Sequence, residues 1–276
     1  MEPEDSVFIT KSENYFFLVT IKNINPGTPK RGTYCVRVAP VPSTGSYTIP
    51  TTDKISCINI SIEVKKKKRQ AHIHCINHDK ECALRSPDDM GLERGRGTFE
   101  MVMSTLALCR SLFDISRFTL EDASKFDCAP ARTTVQLRYH NLMVYGETYY
   151  ERRFGAVPRF ESDIPEWNKV KQDLKNNIVP CDFSKLISHG INERMVEFDE
   201  EYIEPLMRVV KEHQGKSTWN EMFSVINQLE DSCVYFTNTI LGVLLHLIYI
   251  PDFIDFMIEI SDKMSEENLK AFERIH

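Results

Sequence analysis

Arg94-Gly95-Arg96-Gly97 stands directly before an apolar periodic segment that opens at Thr98. Glycine lets backbone N–H groups approach a ligand with no side chain in the way. A helix starting there offers unpaired N–H groups and the positive end of its dipole to an anion. Arg94 and Arg96 add charge of the same sign. The chemistry such a turn suits is the holding of a pyrophosphate. The stretch Leu92 to Gly155 that it opens runs loop, helix, strand, helix, and closes with Tyr145-Gly146-Glu147-Thr148-Tyr149-Tyr150-Glu151-Arg152-Arg153-Phe154-Gly155-Ala156.

Two other clusters carry chemically capable side chains. His72, His74, Cys75, His78 and Cys82 are the densest run of metal-ligand types. On a strand His72 and His74 share a face while Cys75 points away. The spacing matches no zinc-finger pattern, so no metal is expected. Lys65-Lys66-Lys67-Lys68-Arg69 reads as a solvated hairpin tip. Its rival readings are contact with nucleic acid, an anionic membrane surface or a nuclear-import signal. No aromatic residue interleaves the run to stack on bases.

The elements that must position these residues follow from periodicity. Tyr15–Ile24 and Thr33–Val38 are strands. Ile55–Val64 alternates, with Ile58, Ile60, Ile62 and Val64 on one face, and Ala71–Asn77 is its hairpin partner. In Thr98–Phe113 the residues Phe99, Val102, Met103, Leu106, Cys109 and Phe113 recur at helical spacing behind an N-cap at Thr98. Arg117–Asp122 is a strand with Phe118 and Leu120 on its buried face. Tyr145 with Tyr149, and Tyr150 with Phe154, stand four residues apart, which also describes an aromatic core stripe.

Hydrophobic residues make up 42% of the 276 and charged residues 27%, which excludes a chain disordered throughout. Residues 1–160 hold 23 Lys+Arg against 18 Asp+Glu, and residues 161–276 hold 11 against 22. That asymmetry suggests two units, 1–160 and 161–276. The eight cysteines are scattered, with no C-x-x-C pair, and are expected to be mostly reduced thiols of an intracellular protein.

After Phe160 the chain reads helical: Pro165–Asn177, Asp182–His189, Asn192–Glu212, and Ser217–Leu229 behind a capping arrangement at Ser217–Glu221. Val234–Ile250 approaches the length of about 20 residues that a membrane span needs. Polar interruptions and the lack of a basic flank favour a buried helix instead, with His246 a core histidine. Phe253–Ile260 and Met264–Ile275 are expected as terminal helices. An exposed apolar face in this region would take a protein partner.

Arg94-Gly95-Arg96-Gly97 followed by a helix resembles the cofactor turn of GNAT-type N-acetyltransferases, Arg/Gln-x-x-Gly-x-Gly/Ala. Tyr150-Glu151-Arg152-Arg153-Phe154-Gly155 is similar to the family's Tyr-Glu-Lys-x-Gly-Phe ending, carried here on a helix containing Leu142 to Arg153. Phe99 stands where the family has Gly or Ala. The resemblance implies acetyl-coenzyme A as cofactor, with Arg94, Gly95, Arg96, Gly97 and Thr98 at its phosphates. It also implies Tyr149 or Tyr150 as general acid near the thiol. Leu120–Cys128, Tyr145–Ala156 and Thr218–Phe223 with Cys233 further resemble an uncharacterised family of large nucleocytoplasmic DNA viruses. That likeness implies a viral protein of the infected host cytoplasm or virion, with the nucleus open.

The expected fold is therefore α/β or α+β: a GNAT-like, mixed, mainly antiparallel sheet with helices, then a helical C-terminal region. The expected function is acetyl-CoA-dependent acyl transfer by a divergent GNAT-like protein, active or decayed. The alternative is a non-enzymatic viral protein, structural or host-interacting, acting through its helices. No P-loop, Ser-His-Asp order or paired-carboxylate spacing argues for phosphoryl transfer or hydrolysis.

Overall fold

The structure, a computed structural model, describes residues 6–26, 31–41, 57–65, 68–76, 96–121, 125–192, 199–237, 255–268 and 271–274. It is mixed α/β with a mostly antiparallel sheet. The chain forms two compact units. Unit 1 is Met1–Glu121 with Phe256–His276, and unit 2 is Asp122–Asp255. The charge asymmetry had suggested a single boundary near 160. The chain instead leaves unit 1 after β6 and returns to it at β10.

Unit 1 is built on strands β1 (Ser6–Lys11), β2 (Phe16–Pro26), β3 (Arg31–Val41), β4 (Ile58–Lys65), β5 (Lys68–Ile76) and β6 (Arg117–Glu121). Two later strands, β10 (Asp255–Glu259) and β11 (Ala271–Arg274), complete it in the order β11-β1-β2-β3-β4-β5-β6-β10. Antiparallel register runs from β11 through β5, whereas β5 and β6 pair in parallel, Ala71 opposite Phe118 and Ile73 opposite Leu120. A parallel pair needs a crossover, and α1 (Arg96–Phe113) supplies it.

One face of this sheet is the core. Phe17, Val19, Ile21, Val36, Ile58, Ile60, Ile62, Phe118, Phe256 and Ile258 are fully or almost fully buried. Each follows from period-two alternation, which puts β-branched and aromatic side chains on one side. Helix α1 is buried nearly all round. Its inner residues meet the sheet, as where the tilted rings of Tyr34 and Phe113 meet at 5.0 Å. Its outer side is covered by α8 (Asp262–Asn268). Ser104 Oγ donates to the Asn268 carbonyl at 2.9 Å, and Arg110 pairs with Asp262.

Unit 2 opens with the hairpin β7 (Lys125–Cys128) and β8 (Thr133–Gln136), and contains a two-residue strand, β9 (Val157–Pro158). The rest is helical: α2 (Leu137–Tyr145), α3 (Tyr149–Phe154), α4 (Ile164–Asn176), α5 (Phe183–Asn192), α6 (Glu200–His213), α7 (Trp219–Ile226) and a 3-10 turn, Ser232–Phe236. Helix α7 is its hub and packs on α2, α4 and α6. Trp219, Met222, Phe223 and Ile226 are buried at the i, i+3, i+4, i+7 spacing of a core-facing stripe. Thr218 and Glu221 form the expected capping box. A disulfide between Cys128 and Cys233 joins residues 105 apart.

Several expectations are corrected. Cys128–Cys233 is bonded and Cys57 is also in a disulfide, so among the described cysteines only Cys35, Cys109 and Cys181 are the expected thiols. The helix expected over Leu142–Arg153 is two helices. Gly146 adopts φ +74°, ends α2 and accepts the αL conformation that L side chains avoid, and Thr148 then caps α3. Tyr145 and Tyr149 therefore sit on different helices. The helix expected over Phe253–Ile260 is strand β10. Phe256, Ile258 and Ile260 are buried at period two, and the apolar count alone had hidden that alternation. The terminal segment divides into α8 and β11. The buried helix expected over Val234–Ile250, His246 included, falls largely outside the described residues. No helix among them is long and apolar enough to cross a membrane.

Candidate functional site

The parallel β5–α1–β6 crossover brings the predicted residues into a frame. Because α1 runs back against the strands it connects, its N-terminus lies at the end of the sheet where β5 and β6 finish. Ligand sites in crossover folds open at that end. Helix α1 begins at Arg96, two residues before the predicted cap. Gly97 and Thr98 are thus buried first-turn residues rather than a loop and its cap. Arg94 and Gly95 lie outside the described residues.

Arg96 is exposed. It reaches Glu13 Oε2 at 3.4 Å, a surface pair of modest hold, and the oxygen Oε1 of the buried Glu100 at 3.2 Å. Glu100, one turn into α1, was not singled out from the sequence. Its carboxylate accepts from Ser12 Oγ at 2.7 Å, Asn14 Nδ2 at 2.6 Å and the Asn14 backbone N–H at 3.1 Å, besides Arg96. Burial pushes its pKa up, but these donors outweigh burial and hold it below the ordinary carboxylate value. It is an ionised tie between the β1–β2 turn and the start of α1. A Glu inside an apolar periodic segment, four residues after an Arg, was the available signal.

On the sheet face opposite the core, β4, β5 and β6 present a polar row. Ser61, His72 and Thr119 stand opposite one another in register. His72 Nδ1 lies 3.0 Å from Thr119 Oγ1, whose own hydroxyl donates to the Ala71 carbonyl at 3.1 Å. Thr119 has one hydrogen, so His72 is the donor in that pair and its Nδ1 is protonated. His74 Nε2 lies 2.8 Å from Ser61 Oγ, and the two imidazoles meet at 4.8 Å. The ladder shifts between Asn59 and Ile60, which makes His74 an extra residue on β5, a bulge. His72 and His74 share a face as expected. His78 and Cys82 lie outside the described residues, and among those described no group of His, Cys, Asp or Glu is arranged to hold a metal. In the basic run, Lys65 pairs with Glu63, and Arg69 with Asp114 and the Phe113 carbonyl.

The predicted tyrosines belong to unit 2, not to the unit that carries α1. Tyr150 is 5% exposed and packs with Phe154 at 6.0 Å, while Tyr149 is half-buried with its ring 5.6 Å from Tyr150. Glu151 is the polar centre there. Its Oε2 accepts the Thr148 N–H, and its Oε1 accepts Trp167 Nε1 and Lys171 Nζ, each at 2.9 Å. The Thr148-x-x-Glu151 spacing is a capping box visible in the sequence. No protein-family model, curated protein sequence or solved structure matches this chain.

Proposed function

We propose that unit 1 is a divergent GNAT-like domain that binds acetyl-coenzyme A at the start of α1. The observation that carries this reading is the β5–α1–β6 crossover, with its parallel strand pair, placed beside a bulge at His74. Arg96, Gly97 and Thr98 are the described residues that would hold the phosphates, together with Arg94 and Gly95. They fit the group in two respects: Arg96 is exposed and positive, and a glycine at 97 keeps a side chain out of the first turn. Glu100 is the contrary charge, and its four donors take up its lone pairs before a ligand meets them. When bound, the thioester would supply an activated acyl group. His74, on the bulge and hydrogen-bonded to Ser61, is the group on β5 suited to taking a proton from an acceptor amine. Tyr149 and Tyr150 are the acids that the resemblance implies. This reading of unit 1 does not draw on them.

The test is thermal unfolding with and without acetyl-coenzyme A, since a ligand of the folded form alone raises the midpoint. A rise abolished by Arg96→Glu supports the reading. No rise at saturating ligand sinks it, and the domain is then a scaffold. The viral attribution rests on the Leu120–Cys128 and Tyr145–Ala156 likeness and belongs to the same reading. The two disulfide-bonded sites favour an oxidising compartment over the reducing one first expected.

A further inference from the structure

The Cys128–Cys233 disulfide joins strand β7 to the 3-10 turn of unit 2. The rings that enclose His140 stand on the same two segments. Phe126 lies two residues before Cys128, on the same face of β7. Phe236 lies three residues after Cys233, one turn on in a 3-10 helix. The His140 ring, on α2, meets Phe126 edge to face at 5.5 Å and Phe236 at 4.6 Å. The disulfide therefore closes a clamp around this imidazole.

A proton reaching His140 has to enter that clamp. Nε2 gives its hydrogen to Asn227 Oδ1 at 2.9 Å, so Nδ1 is the nitrogen left to take a proton, and it is buried with no partner. A proton there would leave a charge and an unsatisfied donor between two rings. No carboxylate offsets that cost. Arg152 of α3 repels the charge, and Asn227 of α7 is neutral. Lys125 and Asp127 leave β7 by its other face. On α2 Arg138 bonds Tyr139, and at the turn Asp231 acts on Tyr235.

We infer that Cys128–Cys233 and His140 form a redox- and proton-linked clamp: breaking the bond opens Nδ1 to a proton, and a proton on Nδ1 favours breaking the bond. Such a linkage is reciprocal. The reductant is a dithiol. Its thiolate attacks Cys233 Sγ, the half-buried sulfur, and the buried Cys128 leaves as a thiolate that takes a proton. The second thiol of the reductant then closes on the first and releases Cys233, which takes the second proton. Two electrons pass to the protein, and the reductant ends as its own disulfide. The clamp lies within unit 2 and is independent of the acyl-transfer reading of unit 1.

The experiment follows the imidazole signals of the full chain by NMR against pH, oxidised and in excess dithiothreitol, with His140 assigned by His140→Leu. The expected result is a His140 midpoint that moves up on reduction, towards the ordinary 6.5. In mixtures of reduced and oxidised dithiothreitol, the reduced protein should be favoured about fivefold or more at pH 5.5 over pH 7.5, about one unit either side of that value. Thiols largely keep their protons in that range, so the exchange itself is nearly indifferent to pH, and His140→Leu should remove the dependence. Identical His140 titrations in the two states overturn the inference. So does a reduction equilibrium that ignores pH, or one that keeps its pH dependence in His140→Leu. Loss of native tryptophan fluorescence on reduction alone also overturns it, since the whole unit and not a clamp would then have opened. Should the leucine variant not fold, His140→Gln, which can still donate to Asn227, gives the same comparison.

Discussion

Trp167 Nε1 donates to Glu151 Oε1 at 2.9 Å, which ties a fully buried indole of α4 to the residue that closes the cap of α3. Lys171 Nζ shares that oxygen, and the Glu151 side chain is 7% exposed. Removing the carboxylate leaves a buried N–H and an ammonium without their acceptor. Glu151→Ala is therefore expected to destabilise unit 2 by about 3 kcal/mol. Glu151→Gln keeps an oxygen for the cap and loses less. Urea unfolding followed by fluorescence measures both, and equal losses would refute the network.

Both tryptophans of the chain, Trp167 and Trp219, lie in unit 2, so indole fluorescence reports on that unit. Reduction of Cys128–Cys233 is expected to lower its stability by about 4–5 kcal/mol, the cost of freeing a loop of this length in the unfolded chain. Dithiothreitol and the Cys128→Ala/Cys233→Ala variant should give the same midpoint. A midpoint indifferent to both would mean that the bond restrains little.

Acid should act on the two units in separate windows. His140 lies between Phe126 and Phe236, gives Nε2 to Asn227 at 2.9 Å, and has a buried Nδ1 with no partner. Burial lowers its pKa and Arg152 lowers it further, against the Asn227 bond. The unfolded state then takes up the proton first. Unit 2 keeps this stability above the ordinary histidine value of 6.5 and loses it as pH falls from there through the folded pKa. Glu100 is also depressed, so unit 1 loses its contribution below 4.5 by the same sign. His140→Leu should flatten the upper window only, seen as fluorescence midpoints that no longer move between about pH 7.5 and pH 5.5, one unit either side of the histidine value of 6.5.

Gly215 and Gly155 both sit at positive φ, +71° and +62°. A Cβ at 215 would fall 2.7 Å from Cys181 Sγ, while at 155 it meets nothing within 4 Å. Alanine at either site costs about 1 kcal/mol of backbone strain, and only at 215 is a contact added. Gly215→Ala should therefore lower the midpoint more than Gly155→Ala. In a Cys181→Ala background the two should converge.

Period-two alternation made β4 legible, and the Thr-x-x-Glu spacing at 218 and the stripe from Trp219 to Ile226 made α7 legible. Strand β1 is not legible in the sequence because its buried face carries Ser6 and Thr10 beside Phe8, so the apolar count is low while the alternation is real. Strand β10 resembles a helix in the sequence for the opposite reason, since Phe253 to Ile260 is apolar enough to satisfy either period. The turn before α1 was legible as glycine and arginine. The role of Glu100 was not, because its partners Ser12 and Asn14 lie more than 80 residues away and no local pattern announces them.

Strand β1 pairs on one side with β2, its neighbour in the chain, and on the other with β11, about 260 residues later. During synthesis at roughly 5–20 residues per second, that edge waits on the order of 10 to 50 seconds for its cover. Unit 2 is complete before β10 and β11 emerge, so the interrupted domain finishes second. The nascent chain thus carries an open strand edge beside a finished helical neighbour, and this interval is when a chaperone, or a second copy pairing edge to edge, would find it.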